Sequence, residues 1–338
     1  MKAAYYEGGQ KFTVKKGTKE TLPSGYVRIK VAYCGVCGTD VHIYNGKMDK
    51  RVSIPQVIGH EVSGEVVEVA PDVTERKTGD LVTVRPLKPG VELPFDNGYR
   101  HIGRNLKFIG IDTPGGMQSY WNVPAYSLHK LPEQLSLQIG ALTEPLAVAC
   151  HDVRLSELKS GEHVVIIGGG PIGVLIGLVA KHKGGRVLIS EPNPYRIALC
   201  KSMGLTAINP MEMDLVKETE AFTQGAMADV VFEVSGVAPG VQVMTQLPRV
   251  RGRIVMVAIH SEPKPVDLFQ FFWKEIKMIG ARVYEPEDFD EAIALAASGH
   301  LPLEKLITQV SSIDDIQQVF ETIDHNPAGM KYLIDCQL

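Results

Sequence analysis

Cys37, His60, Glu61 and Glu144 are side chains of the kinds that hold a catalytic zinc ion. Such sites take three protein ligands from cysteine, histidine and carboxylate and leave one position for substrate. Cys37 sits in the run Cys34-Gly-Val-Cys37-Gly-Thr39-Asp40-Val-His42, and His60-Glu61 follows Gly59. Spacing alone leaves other readings open. Cys34-x-x-Cys37 is also the spacing of a redox pair, but it follows a β-rich segment instead of opening a thioredoxin-like unit. It would be half of a four-cysteine zinc site, yet no second pair exists. His60-Glu61 could equally be a strand-end pair that satisfies turn amides.

A second constellation lies between Val164 and Arg196. The apolar run Val164 to Ile167 reads as a buried parallel strand and opens into Gly168-x-Gly170-Pro171-Ile172-Gly173. A helical pattern to His182 follows, closed by Gly184-Gly185, then a strand from Arg186 to Ser190 that ends at Glu191. Strand, glycine turn, helix, strand and acid together form the dinucleotide-binding fingerprint. Gly168 permits the tight turn, Gly170 lets backbone approach a pyrophosphate, and Gly173 lets helix and strand pack closely. Amides at the helix start face the phosphates. Glu191 stands where an acid takes the ribose hydroxyls and would repel a 2′-phosphate, so NAD is expected over NADP. Arg196, close by, is the feature that could instead serve NADP. Residues 164 to 180 are uncharged, but the glycines and proline at 168–171 break the run and argue against a membrane span.

Both constellations need scaffolds. Residues 1 to 35 alternate apolar and polar, the first of them reading as an edge strand, and Tyr26 to Tyr33 reads as a strand. Val62 to Val69 is another, and the glycine-rich spacing describes a β-rich domain. Residues 85 to 116 are rich in proline and glycine and read as an extended lobe. Glu144-Pro145 starts a helix. Beyond Glu191, helices (Arg196 to Met203, Met213 to Thr223) alternate with strands at Thr206 to Asn209, Asp229 to Glu233, Gly252 to Val257 and Ile276 to Tyr284. The tail holds helices at Glu287 to Ser298 and Ile313 to Ile323 and a strand at Lys331 to Cys336, and does not extend the alternation. The expected organisation is a catalytic domain of residues 1–149 and 286–338, with a dinucleotide-binding domain of 150–285 inserted in it.

The chain's 338 residues suffice for two cores, and 44% hydrophobic with 22% charged residues is ordinary for a soluble globular protein. A formal charge of −4 gives no footprint for nucleic acid or an acidic membrane. The first residues lack the apolar segment of a signal peptide. Five scattered cysteines suggest no disulfide framework, and the expected compartment is reducing cytoplasm.

Taken together, Cys37-Gly-Thr-Asp-x-His42, Gly59-His-Glu-x-x-Gly64, Gly79-Asp-x-Val82, Glu144-Pro-Leu-Ala and Gly168-x-Gly-Pro-Ile-Gly173 resemble the zinc-dependent medium-chain alcohol dehydrogenases, notably the sorbitol (polyol), threonine and butanediol branch. The resemblance covers nearly the whole chain. It implies an α/β fold: a Rossmann doubly wound parallel sheet inserted in a β-rich, GroES-like catalytic domain, with the active site in the cleft between. Position by position, it implies Cys37, His60 and Glu61 as metal ligands and Glu144 as an exchangeable fourth. It leaves Cys34 off the metal. Thr39 would bond the substrate oxygen and His42 would extend a proton path. The nicotinamide would lie near Val234-Ser235-Gly236 and Val257-Ala258-Ile259. Arg282 matches a pocket arginine that would bind a hydroxyl or carboxylate. Ile43 and Met117 stand where relatives often carry aromatic pocket residues. Many relatives also hold a structural zinc with four clustered cysteines in the 85–116 lobe. This chain has none between Cys37 and Cys150, so one zinc per chain is expected.

The implied reaction is reversible oxidation of a secondary alcohol (a polyol, sugar acid or similar hydroxy compound) to the ketone, with zinc as Lewis acid and NAD as hydride acceptor. Threonine and butanediol are the alternative substrates. A homo-oligomer, tetramer or dimer, is expected, with no nucleic-acid or membrane partner. Two other classes compete. A zinc-free NADPH quinone reductase of the same superfold would lack the Cys37, His60 and Glu61 set. A non-catalytic nucleotide-binding protein would carry that set as a relic.

Overall fold

The strand Tyr26–Gly35 shows how this chain writes a β-domain. Val27, Ile29 and Val31 alternate into the core without accessible surface. Each such side chain contributes roughly 1.5–3 kcal/mol by leaving water. Arg28, on the other side, is also buried; Glu68 neutralises it, and its Nε donates to Asn122 Oδ1 at 3.0 Å. The computed structural model describes residues 1–17, 20–326 and 328–338. Thr18 and Lys19, part of the alternating segment 1–35, lie outside the described residues.

The chain divides into two units, 1–144 with 289–299 and 306–338, and 145–288 with 300–305. In the first, Tyr26–Gly35 is the hub of a seven-stranded sheet. It pairs antiparallel with Glu61–Val69, Tyr120–Pro124 and Lys331–Asp335. Leu81–Val84 and Leu128–Lys130 extend the sheet on one side, and Ile307–Ser312 extends it on the other. Lys2–Tyr6 is not the edge strand expected. It lies in the middle of a three-stranded sheet, between its hairpin partner Phe12–Lys16 and the distant Gln56–Val57, which covers the edge left open by the hairpin.

The 85–116 lobe has little regular structure: one short pair, Leu87–Lys88 with Phe108 and Lys107, and a 3₁₀ turn at Pro94–Asp96. Its shape rests on hydrogen-bonded carboxylates. Asp96 accepts the amides of Leu93 and Arg104, each at 2.9 Å. Those bonds hold its carboxyl below the usual range. Asp112 accepts the Phe108 amide at 2.6 Å and a two-pronged contact from Arg51 at 2.6 and 2.7 Å.

The second unit is a parallel six-stranded sheet in the order Thr206–Ile208, Arg186–Ser190, His163–Ile167, Ala228–Glu233, Pro248–Met256, Lys277–Gly280. This is the 3-2-1-4-5-6 order of the dinucleotide-binding fold, which reverses direction beside the first strand. Val164, Val165 and Ile166 are wholly buried because helices cover both faces of such a sheet. The last strand ends at Gly280, not at Tyr284. Arg282 therefore lies beyond it, exposed, next to Val283 at a φ of 52°. Short helices at Gly38–Tyr44, Leu137–Gly140, Ala238–Met244 and Leu268–Lys274 were not anticipated, since four to seven residues show too little of a 3.6-residue period. No helix among the described residues is long and apolar enough to cross a membrane.

A charged hub ties helix Thr143–Leu155 to the start of Pro286–Ser298. Asp288 accepts from Arg154 Nε at 2.6 Å, faces His151 Nδ1 at 2.7 Å, and accepts the Glu285 amide at 2.8 Å. His151, Glu285 and Asp288 come within metal-ligand reach of one another, but the Arg154 guanidinium already supplies the positive charge. Burial alone would raise the Asp288 carboxyl, and the bonds from Arg154 and His151 outweigh it and hold it well below the usual range. A depressed carboxyl stabilises the fold above its unfolded pKa of about 3.9, and the contribution is lost as pH falls through the folded value. Asp288→Asn is therefore expected to cost about 2 kcal/mol at neutral pH. The gap in Tm between variant and wild type should stay constant above about pH 5 and close as acid protonates the carboxylate. A gap indifferent to pH would show that the hub's charge is not what holds these helices.

Candidate metal and cofactor sites

Three strand ends deliver the first site. Tyr26–Gly35 runs out two residues before Cys37, Glu61–Val69 begins at a proposed ligand, and Lys331–Asp335 begins with a lysine. In the antiparallel register Gly35 faces Glu61. A Cβ on Gly35 would stand 2.2 Å from Glu61 Oε2, so only glycine leaves the carboxylate its place. Gly59, at a φ of 99°, makes the turn that presents His60 and Glu61. The result is one group in which the ligand atoms of Cys37, His60 and Glu61 all lie within 4.8 Å of each other. His60 and Glu61 are buried and Cys37 is half-buried. Phe108, from the lobe, sets its ring edge-on to His60 at 5.3 Å.

Asp40 is a neighbour that the sequence did not single out. It sits in the first turn of Gly38–Tyr44, fully buried, and its Oδ2 accepts the Cys37 amide at 2.9 Å. Its Oδ1 lies 3.7 Å from His60 Nδ1, and among the described residues neither of those two atoms has a hydrogen-bond partner. A carboxylate behind a ligating imidazole fixes its tautomer and orientation in metal sites. Lys331 was also missed. Its buried Nζ donates to Glu61 Oε1 at 2.6 Å and to the Val36 carbonyl at 3.1 Å, and touches Glu61 Oε2.

The electrostatics fit a cation. Burial would depress His60, yet Asp40, Cys37 and Glu144 outweigh it and drive the imidazole well above its ordinary value. Lys331 is likewise raised against its burial by Glu61, Cys37 and Glu144. A buried pocket that pulls protons this way is a pocket of excess negative charge. A thiol, an imidazole and a carboxylate at one point are a zinc donor set. Glu144, in the first turn of Thr143–Leu155, is buried and near enough for its charge to act on both groups, but stands outside the 4.8 Å group. Cys34 is fully buried, its thiol pushed far up by burial, and is not in the group.

Thr39 is half-buried and His42 exposed on Gly38–Tyr44. Burial, aided by Lys47, lowers His42, so the ring is neutral near pH 7 and able to accept a proton. Ile43 and Met117 have no accessible surface and belong to the core.

The second site is built by the glycine turn. Gly168 takes a φ of 108°, and Gly170 caps Pro171–His182, with Pro171 and Ile172 in its first turn. A Cβ on Gly173 would lie 1.9 Å from the Gly168 carbonyl oxygen, so no other residue fits. Glu191 is buried at the end of Arg186–Ser190, where it accepts the Gly169 and Asn193 amides at 2.8 Å each. Arg196 stands on Pro194–Ser202 with a guanidinium nitrogen 3.8 Å from where a Gly170 side chain would begin. Ser235 follows Ala228–Glu233, and Val257 and Ile259 follow Pro248–Met256, with Ile259 exposed. All these positions share the carboxyl end of the parallel sheet, where ligands of such sheets bind.

Comparison with known proteins agrees with this geometry. The alcohol dehydrogenase GroES-like domain family matches residues 23–133, and the zinc-binding dehydrogenase family matches 171–298. The chain is 54% identical to a 2-dehydro-3-deoxy-L-galactonate 5-dehydrogenase of Pseudoalteromonas atlantica over 99% of both chains. The chain belongs to the zinc-type medium-chain alcohol dehydrogenases. It is also 32% identical to a sorbitol dehydrogenase of Halalkalibacterium halodurans over 94% of each. Its fold matches 2R,3R-butanediol dehydrogenase of Bacillus subtilis with a TM-score of 0.90 at 30% identity, covering 99% of each chain. This dehydrogenase is thus an enzyme of nicotinamide-linked, zinc-dependent oxidation of a secondary alcohol to a ketone. The quinone-reductase and non-catalytic readings fall away.

Proposed function

We propose that this dehydrogenase oxidises a secondary hydroxyl of a 2-keto-3-deoxy sugar acid, using NAD. The observation that carries the reading is the convergence of Cys37, His60 and Glu61 in a chain 54% identical, end to end, to a 2-dehydro-3-deoxy-L-galactonate 5-dehydrogenase. Zinc held by Cys37, His60 and Glu61 would supply Lewis-acid polarisation of the alcohol oxygen, and the nicotinamide the hydride acceptor. Thr39 then orients the hydroxyl and takes part in removing its proton, and His42 passes that proton to solvent. Glu144 serves as the exchangeable carboxylate, and we assign Arg282 to the substrate's carboxylate.

Glu191 supports NAD. Its buried charge, fixed by two amides, would meet a 2′-phosphate as a like charge. We expect kcat/KM for NAD to exceed that for NADP by about 100-fold, and Glu191→Gln to shrink the gap. The deciving measurement is a substrate panel, run with both cofactors on protein of known zinc content. It should include the keto-deoxy sugar acid, sorbitol, threonine and 2,3-butanediol. Turnover of sorbitol or threonine ahead of the sugar acid would refute the substrate, and NADP ahead of NAD would refute the cofactor.

Self-association is part of the reading. Helix Leu268–Lys274 exposes Leu268, Phe269, Phe272 and Trp273, and the neighbouring Lys277–Gly280 is the edge of the parallel sheet with Met278 outward. Apolar surface next to an open strand edge suits a second copy of the chain, which sedimentation velocity would report as a dimer or tetramer.

A further inference from the structure

At the carboxyl rim of the parallel sheet, a histidine that the glycine fingerprint does not include faces a buried carboxylate. Glu233 ends Ala228–Glu233 without accessible surface. Its own loop satisfies it: Oε1 accepts from the Ser235 amide at 3.1 Å, the Ser235 hydroxyl at 2.5 Å and the Gly236 amide at 3.1 Å. Its carbonyl accepts the amides of Val257 at 3.0 Å and Ala258 at 3.1 Å, which docks the segment after Pro248–Met256 onto the end of this strand. That docking brings His260 Nε2 to 3.4 Å from Glu233 Oε2. The imidazole is 19% exposed, yet both ring nitrogens are buried and neither completes a hydrogen bond among the described residues. A buried polar atom without a partner costs about 1–3 kcal/mol, and Glu233 does not need this ring to be satisfied. The arrangement is explained if the partner is a ligand.

Topology says which part of a dinucleotide comes here. The sheet order reverses between His163–Ile167 and Ala228–Glu233, and a dinucleotide lies across that reversal. Glu191 marks the adenosine half on one side, so the ends of Ala228–Glu233 and Pro248–Met256 serve the nicotinamide half. A Cβ on Gly168 would sit 3.0 Å from the Ser235 amide nitrogen. The Glu233–Ser235 loop therefore abuts the turn that takes the pyrophosphate, and the first group beyond the pyrophosphate is the second ribose. An imidazole whose Nε2 faces a carboxylate keeps Nδ1 for one ribose hydroxyl.

Resting on the dinucleotide reading above, we propose that His260, oriented by Glu233, is a further cofactor-binding residue that hydrogen-bonds a hydroxyl of the nicotinamide-side ribose. Calorimetric titration of the full-length protein with ADP, ADP-ribose and NADH tests it, because these probes add first the second ribose and then the nicotinamide. His260→Ala is expected to weaken ADP-ribose and NADH by about five- to tenfold, the worth of one net hydrogen bond, and to leave ADP unchanged. His260→Gln, which keeps a donor and an acceptor, should recover part of the loss, and Tm without ligand should stay at the wild-type value. A loss confined to NADH would move the contact to the nicotinamide and overturn the ribose assignment. Equal loss for all three probes, or no loss for any, would overturn the role altogether. Wild-type protein that binds none of the probes would take the cofactor reading down with it, whereas wild-type binding with an indifferent His260→Ala variant sinks this inference alone.

Discussion

Cys37→Ser is expected to lose the zinc and to lower kcat by about a thousandfold or more. The reason lies in how little else could hold the ion. Of the three ligand atoms within 4.8 Å, the sulfur is the one soft donor, and zinc prefers it to a hydroxyl. Glu61 and His60 already fill two of the ion's positions, so neither can also take the place of the sulfur. Polarisation of the alcohol oxygen is worth several kcal/mol of barrier, and each 1.36 kcal/mol is tenfold in rate. Metal analysis of the purified variant, read beside its kcat, checks both halves of the statement. Cys34→Ser is the control: Cys34 lies outside the ligand group, so its variant should keep one zinc per chain. A Cys37→Ser protein with full zinc and near-normal turnover would mean the metal is held elsewhere.

Lys331→Met is expected to cost about 3–5 kcal/mol, the range found when one member of a buried ion pair is removed. That corresponds to a fall in Tm of about 10 °C for a domain of this size. Both partners are almost without accessible surface, so water cannot take over the lost charge. The deficit should depend on zinc. A divalent cation at Cys37, His60 and Glu61 places positive charge beside the same carboxylate, so the fall should be larger in chelator-stripped protein than in zinc-loaded protein. Thermal melts of both forms of both proteins supply the four numbers needed. An equal fall with and without metal would show that Lys331 does not share Glu61 with the ion.

Lys331 illustrates why part of the site was not legible. A lysine opening an apolar final strand carries no local signal of its partner, which lies 270 residues away in the chain. Asp40 was in plain view inside the Cys37 run, but its value comes from a packing contact with His60 and not from spacing. Glu233 and His260 meet only because one strand's carbonyl docks the loop of the next. The misjudged edge strand has the same origin: whether Lys2–Tyr6 is central or peripheral depends on Gln56–Val57, which no pattern within residues 1–16 can report.

What the amino-acid order determined by itself is whatever depends on backbone rules within a few residues. The turn at Gly168 to Gly173, the acid at Glu191, the Gly59-His60-Glu61 corner and the alternation of the long strands are of this kind, because φ limits, Cβ clashes and periodicity act locally. Only the tertiary structure decided which charges share a pocket. Burial and proximity are properties of the folded chain, and a carboxylate, an imidazole or an ammonium group becomes a ligand, an orienting partner or a counter-ion only when its desolvated neighbours are known.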